Sequence, residues 1–433
     1  MKVALVYPEV YDLAHYKEKR KEFPPFGVLY LAAILEENGI KVDIFKINNS
    51  NMKRDFCGYE VVGFSIPSSA TYRIVKESRF SSQYSGDPII AVGGVHPSFY
   101  PEDTLVDFQA DVVGIGSGER TIIEIVQAHI TKDFSQICGV CFMKGQQIIT
   151  TPMRPIEKSI DWIPFPARHL LDESDFIMSN RLANTETRMI HVMLSRGCPF
   201  SCHFCAVLQK TVQYRSGHSV RMELEYLKRR YCIDGFAIVD DNFVVNKNAV
   251  KNVCEAVKNL GLRWSALSRV DTVDQELLEI MREAGCIELK FGVESGSERM
   301  LRAMGKNISC NQIRQTITLA HAIGIKVKIF LIHGFPGEDL SSTEETISLL
   351  KEIAPMIERV SLFRFAPLPG SCVFRNAKAY GLNIPEHIED WSKFHIYHNN
   401  HHWWGSVENF KQMERAYLEL EKFIADNWEA GYF

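Results

Sequence analysis

Three cysteines carry the most specific chemical signal in the sequence. Cys198, Cys202 and Cys205 lie in the segment SRGCPFSCHFCAV, with the spacing C-x3-C-x2-C. Three thiolates on one loop can bind three irons of a [4Fe-4S] cluster, which leaves the fourth iron free to bind a substrate or a cofactor. The alternative is a structural zinc site with His203 or His218 as the fourth ligand, although zinc sites more usually have paired C-x2-C ligands. The spacing therefore favours an iron–sulfur cluster with one open iron.

A series of strand and helix patterns positions this loop. From about Met189 the sequence alternates six times between a short β-rich run and a helical pattern, and the cysteine loop directly follows the first run. By the right-handed crossover rule, such βα units curl into an open, partial (β/α)6 barrel that binds ligands at the carboxyl ends of its strands. The polar or glycine residues predicted at the other strand ends are Asp240, Asp241, Ser268, Arg269, Glu294, His333 and Gly334.

Three residues near these ends are candidates for catalysis. Asp240 and Asp241 could bind an ammonium group or substrate hydroxyls, and helix capping is an equally good explanation for Asp241. Tyr214 follows the cysteine loop closely enough to donate a proton or a hydrogen atom at the barrel mouth, unless it simply packs the loop with its hydroxyl hydrogen-bonded. A cluster in the tail could line a substrate pocket or pack the tail, and it consists of His401, His402, Trp403 and Trp404.

The first 150 residues predict a separate α/β domain. Short apolar runs such as VALVYP, VVGFS and PIIAVGG alternate with helical patterns. This alternation is typical of a doubly wound (Rossmann or flavodoxin-like) parallel sheet with helices on both faces. A proline-rich stretch then marks a linker. We therefore predict a doubly wound domain over 1–150, a linker over 151–188, the partial barrel over 189–370 and a short α-helical, aromatic tail over 371–433.

Glycines cluster at the predicted strand ends of this first domain. Because glycine has no side chain, it lets the tail of a large ligand approach the backbone at the carboxyl edge of the sheet, although any flavodoxin-like sheet needs such turns. The predicted ligand-binding residues at this edge are Ser65, Gly93, Gly94, Gly116 and Gly118.

The composition excludes several classes of protein. The 433 residues include 49 Lys and Arg against 53 Asp and Glu, a net charge of −4, so bulk charge does not predict nucleic-acid binding. No stretch approaches the roughly 18 apolar residues of a membrane helix, and the amino terminus lacks the features of a signal peptide. The 11 cysteines are odd in number and irregularly scattered, which argues against a secreted disulfide framework. We expect a cytoplasmic protein without a membrane or nucleic-acid partner.

The cysteine motif and its context resemble those of the radical S-adenosylmethionine (SAM) superfamily. The shared feature is C-x3-C-x-aromatic-C, with Phe204 as the aromatic residue, at the end of the first strand of a βα part-barrel. The resemblance implies that the three cysteines ligate a [4Fe-4S] cluster, that SAM chelates the free iron, and that the reduced cluster cleaves SAM to a 5′-deoxyadenosyl radical. A glycine-rich motif common in the family after the second strand is absent here. The residues that the resemblance places near SAM are Phe204, Ser268, Arg269, Glu294, Lys306, His333 and Gly334.

The first domain resembles the cobalamin-binding domain that precedes the barrel in one subgroup of this superfamily. The similarity rests on PPFGVLYLAAILEENG, VVGFS, AVGGVHPSFYPED and DVVGIGSGERT. It implies a cobalamin cofactor at the glycine-rich edge. Two departures leave open a domain that keeps the fold without the cofactor. The D-x-H-x-x-G signature of other cobalamin proteins is missing, as is common in this subgroup, and Ser117 stands where the family usually has an acidic residue.

Two functions follow from the resemblance. The first is a cobalamin-dependent radical SAM enzyme that methylates an unactivated carbon of a small biosynthetic intermediate. The second is a non-methylating radical reaction, such as dehydration of a 1,2-diol in an amino sugar, with a vestigial cobalamin-binding domain. Either enzyme would act on a small-molecule substrate and use an external electron donor such as flavodoxin or ferredoxin. A non-catalytic corrinoid-binding or zinc protein is the third alternative.

Overall fold

The computed structural model describes residues 1–9, 24–182, 185–394 and 403–428. The chain divides into two compact units. The first unit comprises Met1–Glu157, Asp161–Phe176 and Pro385–Lys393, and the second comprises Lys158–Ile160, Ile177–Ile384 and Phe394–Phe433.

The first unit is built on a seven-stranded sheet in the order β2-β1-β3-β4-β5-β6-β7. Its strands are β1 (Lys2–Pro8), β2 (Lys41–Ile47), β3 (Val61–Ser65), β4 (Ile89–Gly93), β5 (Val112–Gly114), β6 (Val140–Lys144) and β7 (Gln147–Thr150). Its helices are α1 (Phe26–Glu37), α2 (Tyr72–Ser81), α3 (Val95–Phe99), α4 (Pro101–Asp107), α5 (Glu119–Gln127) and α6 (Glu173–Phe176). Strands β1 to β5 are parallel, and β6 and β7 continue the sheet in antiparallel pairing.

Apolar residues cover both faces of this sheet. In β1, Val3 and Leu5 belong to one core cluster, whereas Ala4 and Val6 belong to the other, because successive side chains of a strand point to opposite faces. Helices α1 and α5 contribute to the first cluster, and α2 and α4 contribute to the second. A sheet with a core on each face confirms the predicted doubly wound fold.

The second unit contains another seven-stranded sheet, in the order β16-β15-β14-β13-β12-β9-β8, and a two-stranded ribbon of β10 and β11. Its strands are β8 (Ile177–Leu182), β9 (Thr185–Val192), β10 (Ser195–Arg196), β11 (Gln213–Tyr214), β12 (Gly235–Ile238), β13 (Arg263–Ser268), β14 (Cys286–Glu294), β15 (Lys326–His333) and β16 (Arg359–Arg364). Its helices are α7 (Gly217–Tyr231), α8 (Lys247–Val257), α9 (Gln275–Glu283), α10 (Glu298–Ala303), α11 (Cys310–Ala322), α12 (Leu340–Ile353), α13 (Cys372–Arg375) and α14 (Val407–Asn427). Strands β9 and β12 to β16 are parallel, which confirms the predicted partial (β/α)6 barrel.

The two faces of the barrel sheet differ in polarity. On β14 and β15 the face that is covered by helices carries fully buried apolar residues, among them Leu289, Phe291, Val327 and Ile329. The opposite face, here called the concave face, carries polar residues between them. A polar concave face is what a ligand-binding barrel requires, because a barrel filled only with apolar side chains is a packed core.

The segment predicted as a linker, 151–188, differs from the prediction. It contains β8 and the first residues of β9, which begins at Thr185 rather than near Met189. Strand β8 pairs antiparallel with β9 and forms one edge of the barrel sheet. Its sequence, IMSNRL, is too polar to show a strand pattern, so its backbone pairing with β9 determines its structure.

The carboxyl-terminal part of the chain ends in a long helix. Helix α14 runs from Val407 to Asn427 and confirms the predicted helical tail. Ser406 caps it through a capping box with Asn409. Among the described residues, no helix combines the length and the apolar character that crossing a membrane requires.

Candidate active site

The ribbon of β10 and β11 holds the base of the cysteine loop. Ser195 pairs with Tyr214 and Arg196 pairs with Gln213, so that residues 198–205 lie on the loop between the two strands. Gly197 begins this loop with φ +94°, and a Cβ atom there would lie 2.6 Å from the carbonyl oxygen of Thr211. The loop therefore needs glycine at this position, both for the backbone conformation and for the close approach.

The two aspartates after β12 bind the backbone of the same loop. Asp240 is buried and accepts hydrogen bonds from the Leu194 amide (2.8 Å) and from the Ser195 hydroxyl (2.6 Å). Asp241 accepts a hydrogen bond from the amide of Gly197 at 3.1 Å. Burial raises the pKa of Asp240 to about 7, although the hydrogen bonds from Ser195 and Leu194 lower it. In this structure both carboxylates position the cysteine loop, and their roles in catalysis stay predictions.

The three loop cysteines are partly buried and lie close enough to influence one another. Burial raises the pKa of Cys205 to about 11 and also raises the pKa of Cys198, so both are neutral thiols until a metal centre binds them. Among the residues that the structure describes, no three His, Cys, Asp or Glu side chains converge as ligands of a single metal ion.

Arg269 connects the cysteine loop to the barrel. Its Nη1 atom lies 3.4 Å from Sγ of Cys202, and its guanidinium lies 3.9 Å from the centre of the Phe200 ring. Nε and Nη2 each lie 2.9 Å from a carboxylate oxygen of Asp271, and Nη2 also donates to the carbonyl of Lys306 at 2.8 Å. The guanidinium is therefore fixed as a hydrogen-bond donor to the sulfur of Cys202. Hydrogen bonds to the cysteine sulfurs of iron–sulfur centres tune their reduction potentials.

Glu294 ends β14 in a constrained conformation. Its φ is +67°, which is unusual for a residue other than glycine, and Glu294 lies next to an irregularity in the pairing of β14 with β15. Its carboxylate forms a buried ion pair with Nζ of Lys306 at 2.8 Å. A Cβ atom on Gly292 would lie 2.4 Å from Oε1 of Glu294 and 2.8 Å from that Nζ. Gly292 thus provides the space in which the ion pair sits.

The amino-acid sequence is similar to those of known families over both units. Residues 18–126 match the B12 binding domain, and residues 192–350 match the radical SAM superfamily. An uncharacterized methyltransferase of Pyrococcus horikoshii is 29% identical over 408 residues, which is 91% of this chain and 86% of that protein. Cytidylyl-2-hydroxyethylphosphonate methyltransferase of Streptomyces wedmorensis is 25% identical over 84% of this chain and 79% of its own length. The structure of the radical SAM methyltransferase TsrM of Kitasatospora setae covers 100% of this chain and 91% of its own, with a TM-score of 0.72 and 14% identity.

The chain contains a radical SAM domain and a B12 binding domain. Together these domains indicate a radical SAM enzyme, and they imply a [4Fe-4S] cluster, SAM and cobalamin as its cofactors. The cysteine loop of this radical SAM enzyme fits a cluster, since it presents three thiols and the guanidinium of Arg269 contacts one of the sulfurs. Phe204, predicted to lie near SAM, is half-buried in the same loop.

Ser268 and His333 are the last residues of β13 and β15, and their side chains have different surroundings. Ser268 is buried, and its hydroxyl lies 3.4 Å from that of Thr272. His333 is bonded to the hydroxyl of Thr343 on α12 at 3.2 Å and packs against the Tyr417 ring of α14, so it faces the helices. Burial lowers the pKa of His333 to about 4, which keeps its ring neutral. Of these predicted residues, His333 is held on the helical side of the sheet.

The loop after β15 has a buried carboxylate that the sequence analysis did not single out. Glu338 accepts a hydrogen bond from the amide of Gly334, whose φ is +92°. Burial raises the pKa of Glu338 to about 8. Trp404 donates its indole N–H to the carbonyl of Gly334 at 2.7 Å. The signal was available in HGFPGE, where an acidic residue closes a glycine-rich turn.

The structure describes two of the four aromatic and histidine residues of the tail, Trp403 and Trp404. Trp403 is buried and packs edge-on against Phe394, with the ring centres 4.6 Å apart. A small cavity of about 40 Å³ lies beside Trp404 and the ends of β15 and β16, and its lining includes Arg364 and Glu414. His401 and His402 lie outside the described residues.

Tyr214 lies on the ribbon that closes the cysteine loop. Its hydroxyl is buried and has no hydrogen-bond partner among the described residues, although the backbone of Asn246 is near. Burial raises the pKa of Tyr214 to about 12, so the phenol is protonated at neutral pH. Tyr214 therefore carries the proton that its predicted role as a donor requires.

The glycine-rich edge of the first unit leaves space for a ligand. The strand order reverses between β1 and β3, and the crevice outside the carboxyl ends at such a point is the usual ligand site of a doubly wound sheet. Ser65 ends β3 and Gly93 ends β4, and nothing lies within 4 Å of a Cβ atom built on Gly93. Gly94 has φ +117°, and a Cβ atom built on it would lie 2.6 Å from the carbonyl oxygen of Ile66. This open backbone fits the approach of a cobalamin tail.

The other two predicted glycines of this edge differ in their surroundings. Gly116 has φ +81°, and its amide donates a hydrogen bond to the hydroxyl of Ser98 at 2.9 Å. A Cβ atom on Gly118 would lie 3.1 Å from the side chain of Leu31. His96, the histidine of this edge, is bonded to Ser69 at 3.1 Å, and burial lowers its pKa to about 4. The turn therefore favours glycine at position 116, whereas a side chain at position 118 would press against Leu31 of α1.

Proposed function

We propose that this protein is a cobalamin-dependent radical SAM methyltransferase that acts on an unactivated carbon of a small molecule. The observation that carries the proposal is the presence, in one chain, of a cysteine loop with a fixed guanidinium at Cys202 and of an open glycine edge at Gly93. The relatives that span most of the chain support it, because two of them are methyltransferases by name.

Each half of this arrangement supplies part of the chemistry. When bound, a reduced cluster supplies the electron that cleaves SAM to a 5′-deoxyadenosyl radical, and cobalamin supplies a transferable methyl group. Cys198, Cys202 and Cys205 would hold the cluster, while Asp240 and Asp241 keep their loop in place. The carboxylate of Glu294, held by Lys306, would bind a polar group of SAM. An external one-electron donor such as flavodoxin or ferredoxin would reduce the cluster.

The buried hydroxyl of Tyr214 favours a second candidate. A protonated phenol without a hydrogen-bond partner among the described residues could deliver a proton or a hydrogen atom in a non-methylating reaction, such as dehydration of a 1,2-diol. In that reaction the first unit would be vestigial, and Gly93 would have no ligand to admit.

The test uses SAM with a deuterated methyl group and the enzyme with its cluster reconstituted under anaerobic conditions. Wild-type protein should form 5′-deoxyadenosine, and its bound cobalamin should gain the label. Cys202→Ala should lose both, because the cluster loses a ligand. Gly93→Leu should keep SAM cleavage and lose cobalamin, since the new side chain fills the open edge.

A matched control for the glycine variant is Gln127→Leu, which adds the same side chain at the exposed end of α5. It should keep both activities. SAM cleavage without any cobalamin binding in the wild-type protein would refute the methyltransferase and favour the second candidate. Undiminished cleavage in Cys202→Ala would refute both.

A further inference from the structure

Three segments of the chain that meet at the cysteine loop contain no acidic residue. Residues 198–222, which include the loop, have no Asp or Glu, and neither do residues 299–337 and 359–385. The whole chain has more acidic than basic residues, with a net charge of −4, so its composition does not explain this distribution. The three segments do contain Lys and Arg, which makes them a locally basic part of an acidic chain.

His203 of the cysteine loop joins the three segments. Its amide donates to the carbonyl of Met304 at 2.8 Å, and its carbonyl accepts a hydrogen bond from the amide of Val373 at 3.1 Å. Its Nδ1 atom lies 3.0 Å from the carbonyl oxygen of Ala303 and 2.9 Å from the hydroxyl oxygen of Tyr380. These contacts hold the other two segments against the loop.

Three exposed basic side chains lie next to these contacts in the chain. Arg302 directly precedes a residue that bonds His203, and Arg375 and Lys378 each lie two residues from such a residue. Because each residue extends the chain by at most about 3.6 Å, all three Cα atoms lie within roughly 7 Å of the Cα atom of a residue that bonds His203. We call Arg302, Arg375 and Lys378 the basic face of the cysteine loop.

The protein compensates little of the charge on the basic face. Among the residues that the structure describes, Arg375 and Lys378 form no ion pair. Arg302 has one carboxylate partner, that of Glu298, at a distance of 4.0 Å. The basic face therefore presents a positive surplus to the solvent.

Two acidic residues from other segments also lie at the loop, and both are bonded there. Asp241 accepts a hydrogen bond from the amide of Gly197 at 3.1 Å. Asp271 binds the guanidinium of Arg269 at 2.9 Å. Neither carboxylate forms an ion pair with the basic face.

The position of the basic face favours a partner that delivers electrons. Cys198, Cys202 and Cys205 are all partly exposed, so a cluster that they bind lies near the protein surface. Complexes that exchange electrons have small, transient interfaces, and opposite charges mainly raise their rate of association. Nucleic-acid binding uses roughly six to ten phosphate contacts, and membrane binding uses clusters of about four to eight basic residues. Three charges beside a cluster loop are therefore typical of a redox partner.

We propose that the basic face is the docking surface for an acidic one-electron carrier protein that reduces the cluster. With flavodoxin as the carrier, the anionic flavin hydroquinone loses one electron and becomes the neutral semiquinone. The [4Fe-4S] cluster gains that electron and passes from the 2+ to the 1+ state, and no proton is transferred. The inference deepens the proposed function, because it identifies where the electron enters, and it rests on that function.

The first test measures how fast flavodoxin reduces the cluster. Enzyme with its cluster reconstituted is mixed anaerobically with hydroquinone flavodoxin, and the loss of cluster absorption gives a second-order rate constant. The salt concentrations are about 20 mM and about 500 mM sodium chloride, at which charges are screened over roughly 20 Å and roughly 4 Å. The double variant Arg375→Gln/Lys378→Gln should be reduced about tenfold more slowly than wild type at low salt and less than about twofold more slowly at high salt, because steering by charge depends on ionic strength.

Two controls separate docking from damage to the enzyme. Dithionite is a small inorganic reductant that needs no docking surface, so the double variant should cleave SAM like wild type when dithionite supplies the electron. The matched variant Arg229→Gln/Lys411→Gln removes two exposed basic charges from α7 and α14. Flavodoxin should reduce it as fast as wild type.

A binding measurement gives a second readout that does not depend on activity. Isothermal titration of oxidised flavodoxin into the reconstituted enzyme at low salt should show saturable binding by wild type and by the matched variant. The double variant should bind about tenfold more weakly. A DNA duplex that binds wild type more tightly than flavodoxin, and loses this binding in the double variant, would assign the face to nucleic acid and overturn the inference.

The remaining outcomes distinguish the two proposals. Equal reduction of wild type and the double variant by flavodoxin at low salt overturns this inference alone, as does a methylating wild-type enzyme whose cluster neither flavodoxin nor ferredoxin reduces. Enzyme whose reduction depends on the basic face, but which neither holds cobalamin nor transfers a methyl group, overturns the proposed function alone.

Discussion

Asp240 gives the protein a pH dependence of stability that a single substitution should remove. Its pKa rises from an ordinary value of 3.8 to about 7 in the folded protein because it is buried. A carboxyl group whose pKa is raised by folding stabilises the folded state fully below the unfolded pKa, and this stabilisation is lost as the pH rises through the folded pKa. The shift of about three pKa units corresponds to roughly 4 kcal/mol, of which about 2 kcal/mol is lost between pH 5.5 and 8.5.

The substitution Asp240→Asn keeps the hydrogen bonds and removes the titration. The amide oxygen can accept from the Leu194 amide, and the amide N–H can donate to the Ser195 hydroxyl. Between pH 5.5 and pH 8.5 the free energy of unfolding of the second unit decreases as Asp240 loses its proton. We expect this decrease to be about 2 kcal/mol smaller in the variant than in wild type. Urea unfolding of the apoprotein, followed by tryptophan fluorescence, measures it. Asp426→Asn on α14 is the control for the lost charge, since Asp426 is exposed.

An equal pH dependence in wild type and Asp240→Asn would refute this reasoning. It would mean that Asp240 is not buried as a carboxyl group at the base of the cysteine loop. A variant that loses SAM cleavage while keeping its cluster and its stability would instead support the predicted catalytic role of Asp240.

Three further predictions address individual contacts. Gly292→Ala should displace the Glu294–Lys306 ion pair and weaken SAM binding by about tenfold, roughly 1.4 kcal/mol. The absorption of the cluster should be unchanged. Equal SAM affinity of the variant and wild type in an equilibrium binding assay would contradict this prediction. Arg269→Met removes the donor to Cys202 and should lower the cluster potential by about 60 mV, which a potentiometric titration followed by electron paramagnetic resonance measures. Tyr214→Phe should raise stability by about 1 kcal/mol, because it removes a buried hydroxyl without a described partner, and a loss of stability in urea unfolding would show that the hydroxyl is bonded.

The sequence predicted those features that depend on local pattern. The alternation of apolar runs indicated both parallel sheets, because strands covered by helices must be apolar along their length. The cysteine spacing predicted the cluster loop, because three thiols on one short loop can bind three irons of one cluster. Strand β8 was missed because its pairing with β9 is a tertiary interaction that its polar sequence does not show.

Contacts between distant residues could not be predicted. The guanidinium of Arg269 reaches Cys202, 67 residues away in the chain, and strands β14, β15 and β16 bring Lys290, Lys328 and Arg359 into register. The ion pair of Glu294 was equally hidden, although Glu294 and Lys306 were singled out separately. Such contacts depend on the register of the strands, which periodicity alone leaves undetermined.

The most direct test of the proposed function is the cobalamin stoichiometry of the enzyme. Protein with its cluster reconstituted under anaerobic conditions is incubated with hydroxocobalamin and desalted, and cobalt is measured together with the visible spectrum. The proposed methyltransferase should retain about one cobalt per chain, since the first unit has an open ligand edge at Gly93. Protein that retains no cobalt, while its cluster is intact and it still cleaves SAM, would contradict the proposal.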